Sequence, residues 1–196
     1  MHKNKWDVPV SEKTFIPTRD LMDAAKRCVT NGDTDEAIRL ALELDRRDEN
    51  AACCIFLGNC YGKINRPIAA LGYMLRGKNL GAALTDDEMK FVKEWVSKLD
   101  CQCNFVATSK DCYILGKELA KEPDMFFWAQ TFLQKASSDD PYGIYSLCLA
   151  DLYAACQSDS GEYRKRAYQY YALAASRGNP EFLTAETARK HDRGKE

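Results

Sequence analysis

Apolar residues recur at every third and fourth position along nearly the whole chain from Thr18 onward. The first stretch shows the pattern most simply, at Leu21, Ala24, Ala25, Cys28 and Val29. Because an α-helix completes a turn in about 3.6 residues, this spacing places the apolar side chains on one helix face. The pattern therefore predicts a chain of amphipathic helices, each of which buries one face.

Residues that begin or end helices divide this pattern into about ten predicted segments. Asn31-Gly32-Asp33 interrupts the first helix, and Thr85-Asp86-Asp87-Glu88 has the form of an N-terminal capping box. Proline is tolerated in the first turn of a helix, and four of the six prolines stand at predicted helix starts: Pro67, Pro123, Pro141 and Pro180. With 11 glycines, the chain has too few turn residues for a β-sandwich or barrel. The sequence predicts an all-α fold of about ten helices stacked as antiparallel hairpins.

The length of 196 residues suits one domain. Residues 1–17 contain two prolines and show no helical period, so we expect an extended N-terminal arm there. A single helical-repeat domain is expected over residues 18–191, followed by a disordered tail over 192–196.

A large apolar residue followed by a small one occurs three times inside predicted helices. The pairs are Leu57-Gly58, Leu115-Gly116 and Leu149-Ala150, and in each case spaced small and aromatic residues follow in the next helix. A small residue lets the second helix pack closely against the first, and the aromatic residue fills the space between hairpins. Because a single hairpin cannot bury its apolar face, the repeat predicts a stack of hairpins.

These motifs resemble the tetratricopeptide and Sel1-like helical-repeat families. The stretch from Asn31 to Ile38 is similar to a tetratricopeptide inter-helix turn, and the stretch from Ala167 to Pro180 is similar to the second helix of a Sel1-like repeat. The resemblance covers roughly residues 18–190, except near 81–105, where a helix with Trp95 lengthens the repeat. It implies an α-α superhelix that binds a peptide or protein partner, usually on its concave face.

The resemblance also implies which residues face the partner, because first helices line the concave face in such repeats. The matching positions are Met22, Lys26, Ile55, Asn59, Lys63, Tyr113, Lys117, Lys121, Leu147 and Asp151. The lysines among them would make a basic groove for an acidic peptide or a C-terminal carboxylate. The alternative is that they are ordinary solvated surface lysines. Apolar and aromatic side chains such as Tyr113 would supply most of the affinity.

The charge composition and the apolar pattern indicate which classes of partner to expect. Lys and Arg total 28 and Asp and Glu total 29, for a net charge of −1, whereas nucleic-acid binders usually carry a basic excess. No apolar run has the length of a membrane span, and the N-terminal MHKNKWDVPV lacks the apolar segment of a secretory signal. We therefore expect a cytoplasmic protein with reduced thiols, a protein partner, and neither nucleic acid nor membrane as partner. A homodimer that covers an open end of the stack is a further alternative.

Nine cysteines raise the question of metal or thiol chemistry. Cys101, Cys103 and Cys112 offer three thiolates, but zinc sites usually pair C-x₂-C knuckles, and the two histidines are His2 and His191. Phosphate-loop, dinucleotide and zincin motifs are missing from the sequence. The prediction is therefore a non-catalytic protein without a cofactor, acting as adaptor, secretion chaperone or toxin-neutralising immunity protein. A metal- or cysteine-dependent enzyme that uses these three cysteines is the alternative.

Aromatic residues are concentrated in the C-terminal half of the chain. Phe126-Phe127-Trp128 and Phe132 have helical spacing, which favours the core over an exposed binding site. Four tyrosines between positions 163 and 171 spread around their helix, so one or two of them are expected to face outward.

Overall fold

A computed structural model describes residues 16–99, 107–156 and 161–177, and within these ranges the chain forms nine α-helices and one short 3₁₀ segment at Pro123–Met125. The helices are α1 (Thr18–Thr30), α2 (Thr34–Arg47), α3 (Ala51–Lys63), α4 (Pro67–Asn79), α5 (Asp86–Leu99), α6 (Ser109–Leu119), α7 (Phe126–Ser137), α8 (Ile144–Ala155) and α9 (Gly161–Ser176). The predicted all-α fold is confirmed. The tenth predicted helix at 180–191, the tail at 192–196 and residues 1–15 of the predicted arm lie outside the described residues.

Four hairpins form the body of the fold: α1 with α2, α3 with α4, α6 with α7, and α8 with α9. In two of these hairpins, a glycine sets how closely the two helices pack. A Cβ atom at Gly58 would lie 2.6 Å from Met74 Cγ, and one at Gly116 would lie 2.8 Å from Leu133 Cγ. Both distances are shorter than two carbon atoms tolerate, so the small residue of the repeated motif permits the helix contact, as predicted.

Helix starts follow the predicted chemistry in part. At α5 the Glu88 N–H donates to Thr85 Oγ1 at 3.3 Å and the Thr85 N–H donates to Glu88 Oε2 at 2.8 Å, which confirms the capping box. Pro67 is the first residue of α4, as predicted. The prediction that α8 begins at Pro141 is wrong, since the helix begins at Ile144, after a turn that includes a left-handed glycine.

The Asp140 carboxylate explains this late start. It accepts hydrogen bonds from the Ser146 N–H at 2.7 Å and from Ser146 Oγ at 2.9 Å. These bonds satisfy groups in the first turn of α8 from a position outside the helix. The chain therefore has to turn before the helix begins, and Gly143, with φ 76°, makes that turn.

Helices α4 and α6 pack side by side and run in the same direction, although α5 separates them in the chain. Arg66 at the start of α4 pairs with Asp111 at the start of α6, and Asn79 at the end of α4 bonds Glu118 near the end of α6. A direct hairpin connection would make neighbours antiparallel, whereas the intervening α5 carries the chain back along the stack. This geometry explains why the repeat spacing lengthens near 81–105.

Two apolar clusters fill the stack, and α4 contributes to both of them. One cluster joins α1 to α4, and the other joins α4 to α9. Cys53 and Cys60 are buried in the first cluster and Cys112 in the second, where they pack as small apolar residues. The core is therefore continuous through α4, which is buried on nearly all sides.

Candidate functional site

Side chains of α6 and α8, the first helices of the last two hairpins, contact each other through two tyrosine rings. The Tyr113 and Tyr145 rings stack with their centroids 4.6 Å apart, and Lys117 Nζ lies 5.8 Å from the centroid of the Tyr113 ring. Burial raises the pKa of the Tyr113 hydroxyl from its ordinary value to about 12. A neutral stacked pair beside an ammonium group gives an apolar surface with one positive edge.

Lysine and glutamate side chains continue this surface along α6. Glu118 is 2% exposed, accepts a hydrogen bond from Lys121 Nζ at 2.6 Å and another from Asn79 Nδ2 at 3.1 Å. Lys121 is thus partly neutralised within the chain, whereas no carboxylate of the described residues forms an ion pair with Lys117. The exposed ammonium of Lys117 is the positive group of this face that remains for a partner.

The turn between α2 and α3 approaches the same face. Arg76 on α4 bonds Asp45 Oδ2 at 2.8 Å and Glu49 Oε1 at 2.9 Å. The Arg76 hydrogen bond lowers the pKa of Glu49, and the positive charges of Lys117 and Lys121 lower it further. Acidic and basic groups therefore alternate here, so the face is mixed in charge rather than uniformly basic.

On α8, Asp151 Oδ1 accepts a hydrogen bond from the Tyr171 hydroxyl at 2.7 Å. The half-buried Cys148 precedes Asp151 by three positions on α8; burial raises the pKa of its thiol to about 11, while the charge of Lys117 acts in the opposite direction. Leu147 is half-buried on the same helix. Tyr113, Lys117, Lys121 and Asp151 thus belong to one region of the structure, which we call the α6/α8 surface together with Tyr145 and Cys148.

The predicted residues of the N-terminal half have other surroundings. Met22 packs partly into the first cluster, and Ile55 covers the close approach at Gly77. Asn59 donates to Glu88 Oε1 on α5 at 2.7 Å, so its amide already has a partner within the chain. Lys26 and Lys63 are exposed, and no contact joins them to the α6/α8 surface.

Sequence reasoning missed two members of the region and one exposed ring. Tyr145 and Cys148 occupy positions that the repeat motif does not single out. Phe127 is 64% exposed, although its neighbours Phe126 and Trp128 are half-buried and Phe132 is buried. Phe127 lies one position off the buried stripe of its helix, and this offset could have predicted its exposure. Among the C-terminal tyrosines, Tyr168 faces outward at 50% exposure, as expected for one or two of them.

Of the three cysteines in the proposed thiol cluster, Cys112 lies within the described residues. Cys112 is buried, and burial raises its pKa, so this thiol is a poor nucleophile in the folded state. Cys101 and Cys103 lie outside the described residues. Across the described ranges, no group of three His, Cys, Asp or Glu side chains has the arrangement of a metal site.

The fold and this surface define a helical-repeat protein of stacked hairpins, in which an inserted helix interrupts the stack. None of the helices that the structure describes combines the length and apolar character of a membrane span. No protein-family model and no curated protein matches the chain.

Two crystal structures are among the solved structures that are similar to it. A crystal structure of MamA protein aligns with 24% sequence identity and a TM-score of 0.38 over 87% of this chain and 78% of the other. A second crystal structure of MamA aligns with 22% identity and a TM-score of 0.40 over 85% and 81%. With TM-scores this low, the assignment of the fold rests on the contacts within this chain.

Proposed function

We propose that this protein is a non-catalytic interaction module that binds a peptide or protein partner. The observation that carries the proposal is the α6/α8 surface, where the stacked Tyr113 and Tyr145 rings lie beside the unpaired ammonium of Lys117. Aromatic rings held by their own packing bind at low entropic cost, and an adjacent charge selects the partner's orientation. Two half-buried, preorganised rings beside an exposed ammonium suit recognition rather than the enclosed chemistry of an enzyme.

Within this proposal, the partner segment is acidic. Lys117 offers the positive charge, and Lys121 contributes the part of its charge that Glu118 leaves uncompensated. Met22, Lys26, Ile55, Asn59, Lys63 and Leu147 are kept as secondary contacts that a long partner would reach. The roles that we propose for the module are adaptor, secretion chaperone or immunity protein, in the cytoplasm, where the described free thiols would stay reduced.

The test is affinity capture of the partner from the native source, followed by titration of the purified pair. We expect Lys117→Glu to weaken binding about tenfold or more, because it replaces an attraction with a repulsion. Lys165→Glu is the matched control, since Lys165 is an exposed lysine on α9. Equal affinities of the two variants for the captured partner would contradict this choice of surface, and a chain that retains no partner at all would contradict the module itself.

Two further measurements separate the remaining alternatives. Metal analysis of the purified protein tests the enzyme hypothesis, since stoichiometric zinc lost in a Cys101→Ser/Cys103→Ser variant would support a thiolate site. Light scattering tests the homodimer, which we propose only as a cover for an open end of the stack.

Finally, we propose that the C-terminal hairpin is Sel1-like, because Ala167 and Ala174 on α9 are both buried.

A further inference from the structure

Helix α5 is the one helix of the described chain that has no hairpin partner. It packs on α4, and of its described side chains only Val92 is buried. Phe91, Trp95 and Val96 are half-buried against the same cluster. Because these four residues fall on one side of the helix, α5 is attached along a narrow apolar stripe.

The contact between α4 and α6 does not depend on α5. A Cβ atom at Gly72 would lie 3.0 Å from the backbone nitrogen of Leu115, so the two helices touch directly. Charged and polar pairs link them at both ends: Arg66 with Asp111 at 2.6 Å, Asn79 with Glu118 at 3.1 Å, and Lys78 with Glu122 at 3.1 Å. The stack on either side of α5 would therefore stay joined without α5.

The surface beneath α5 is apolar. Val92 joins the apolar cluster to which α4 contributes Ile68, Leu71 and Leu75. Loss of α5 would expose to water the part of this cluster that Phe91, Val92 and Trp95 now cover, and exposed apolar surface of this kind binds amphipathic helices. At its N-terminal end, the bond from Asn59 to Glu88 adds a polar contact that fixes the direction of the bound helix.

We propose that α5 is a detachable cover and that the groove beneath it on α4 binds an amphipathic helix of a partner protein. The occupant is specified by α5 itself, which is the helix that the groove already holds. It carries two adjacent apolar pairs one turn apart, Phe91-Val92 and Trp95-Val96, and an acidic first turn that reaches Asn59. This site differs from the α6/α8 surface and does not require the function proposed for that surface.

Helix α5 belongs to the part of the protein that opens before the whole unfolds, since only one of its described side chains is buried, whereas α4 contributes nine buried residues. A partner helix has to compete with the cis-bound α5, so its apparent affinity is reduced by the fraction of molecules in which the groove is open. If that fraction is roughly one in a hundred, the apparent dissociation constant is about a hundredfold weaker than that of an empty groove.

The experiment uses a fluorescein-labelled peptide of residues 85–99 as the probe and the full chain as the receptor. The main variant is Lys90→Gly/Lys93→Gly, which weakens helix formation at two exposed positions without changing the apolar stripe. We expect fluorescence anisotropy to show binding about tenfold or more tighter to this variant than to the wild type. Lys165→Gly, on α9, is the matched control and should bind the peptide like the wild type.

A peptide with Val92→Asp and Trp95→Ser controls for nonspecific adsorption and should bind none of the receptors. Hydrogen exchange on the unaltered chain gives an independent readout, in which α5 amides exchange at least tenfold faster than those of α4 and α6. Equal exchange rates in α5 and α4 would overturn the proposal. So would a peptide that binds all three receptors alike or none of them.

Discussion

Replacement of Gly72 by alanine tests the direct, parallel contact of α4 and α6. A Cβ atom at this position would lie 3.0 Å from Ile114 Cγ2, 3.0 Å from the Leu115 nitrogen and 3.2 Å from Leu115 Cα. Two of these three atoms belong to the backbone, which cannot move aside as a side chain can. The methyl group therefore has to push the two helices apart.

Two opposing effects set the magnitude. Alanine favours a helix interior over glycine by about 1 kcal/mol, while overpacking of a helix contact costs about 1–3 kcal/mol. We expect Gly72→Ala to lower the free energy of unfolding by about 1 kcal/mol. Gly62→Ala on α3 is the matched control, because nothing lies within 4 Å of its Cβ position, and it should raise stability by about 0.5 to 1 kcal/mol.

Urea unfolding followed by circular dichroism at the helical band measures both variants. The expected difference of about 2 kcal/mol corresponds to a gap of about 4–8 °C in Tm for a chain of this size. If both alanines change stability by the same amount, α4 and α6 do not approach each other at Gly72. The parallel alignment, and the cover role of α5 that depends on it, would then be refuted.

Three other perturbations have defined outcomes. Asp140→Ala leaves the Arg177 guanidinium and the first turn of α8 without their buried acceptor. Urea titrations should show a free energy of unfolding lower by about 3 kcal/mol. A change below about 1 kcal/mol would contradict the buried network. Burial raises the pKa of Cys53 and Cys54 from 9.0 to about 12. The two protonated thiols therefore make their full contribution to the free energy of unfolding below pH 9.0. This contribution falls as the pH rises toward about 12, by up to about 1.4 kcal/mol per pH unit for each thiol. A Cys53→Ala/Cys54→Ala variant should show a shallower alkaline decline, and an unchanged slope would show that other groups cause it. Asn59→Ala should speed hydrogen exchange in α5 but leave α6 unchanged, and equal acceleration in both would indicate general loosening.

Local chemistry makes most of the helices predictable from the residue pattern. The Thr85 capping box and the Pro67 start depend on neighbours within one turn, so the pattern contains all that decides them. Pro141 shows the limit, because the Asp140 carboxylate and the left-handed Gly143 delay α8 to Ile144. A turn that a side chain stabilises from outside the helix has no periodic signature.

The candidate site was predictable in its residue types but not in its arrangement. Lys117 and Lys121 were identified by their place in the repeat, yet the buried Glu118 that neutralises Lys121 shares their helix without any pattern that marks it as buried. The partner ring of Tyr113 lies on another hairpin, at Tyr145. Contacts between hairpins depend on how whole helix faces pack, and a repeat motif predicts only the closest of those contacts.

The residue pattern alone predicts a set of amphipathic helices paired through small residues, because hydrogen bonds and helix faces repeat over a few positions. Three features follow from tertiary packing alone: α4 and α6 lie parallel, α5 packs on α4 along a narrow apolar stripe, and Asn59 bonds Glu88 rather than facing solvent alone. Those contacts join residues 29 and 45 positions apart. At such separations, the sum of packing over several helices chooses the arrangement, and no single segment carries that information.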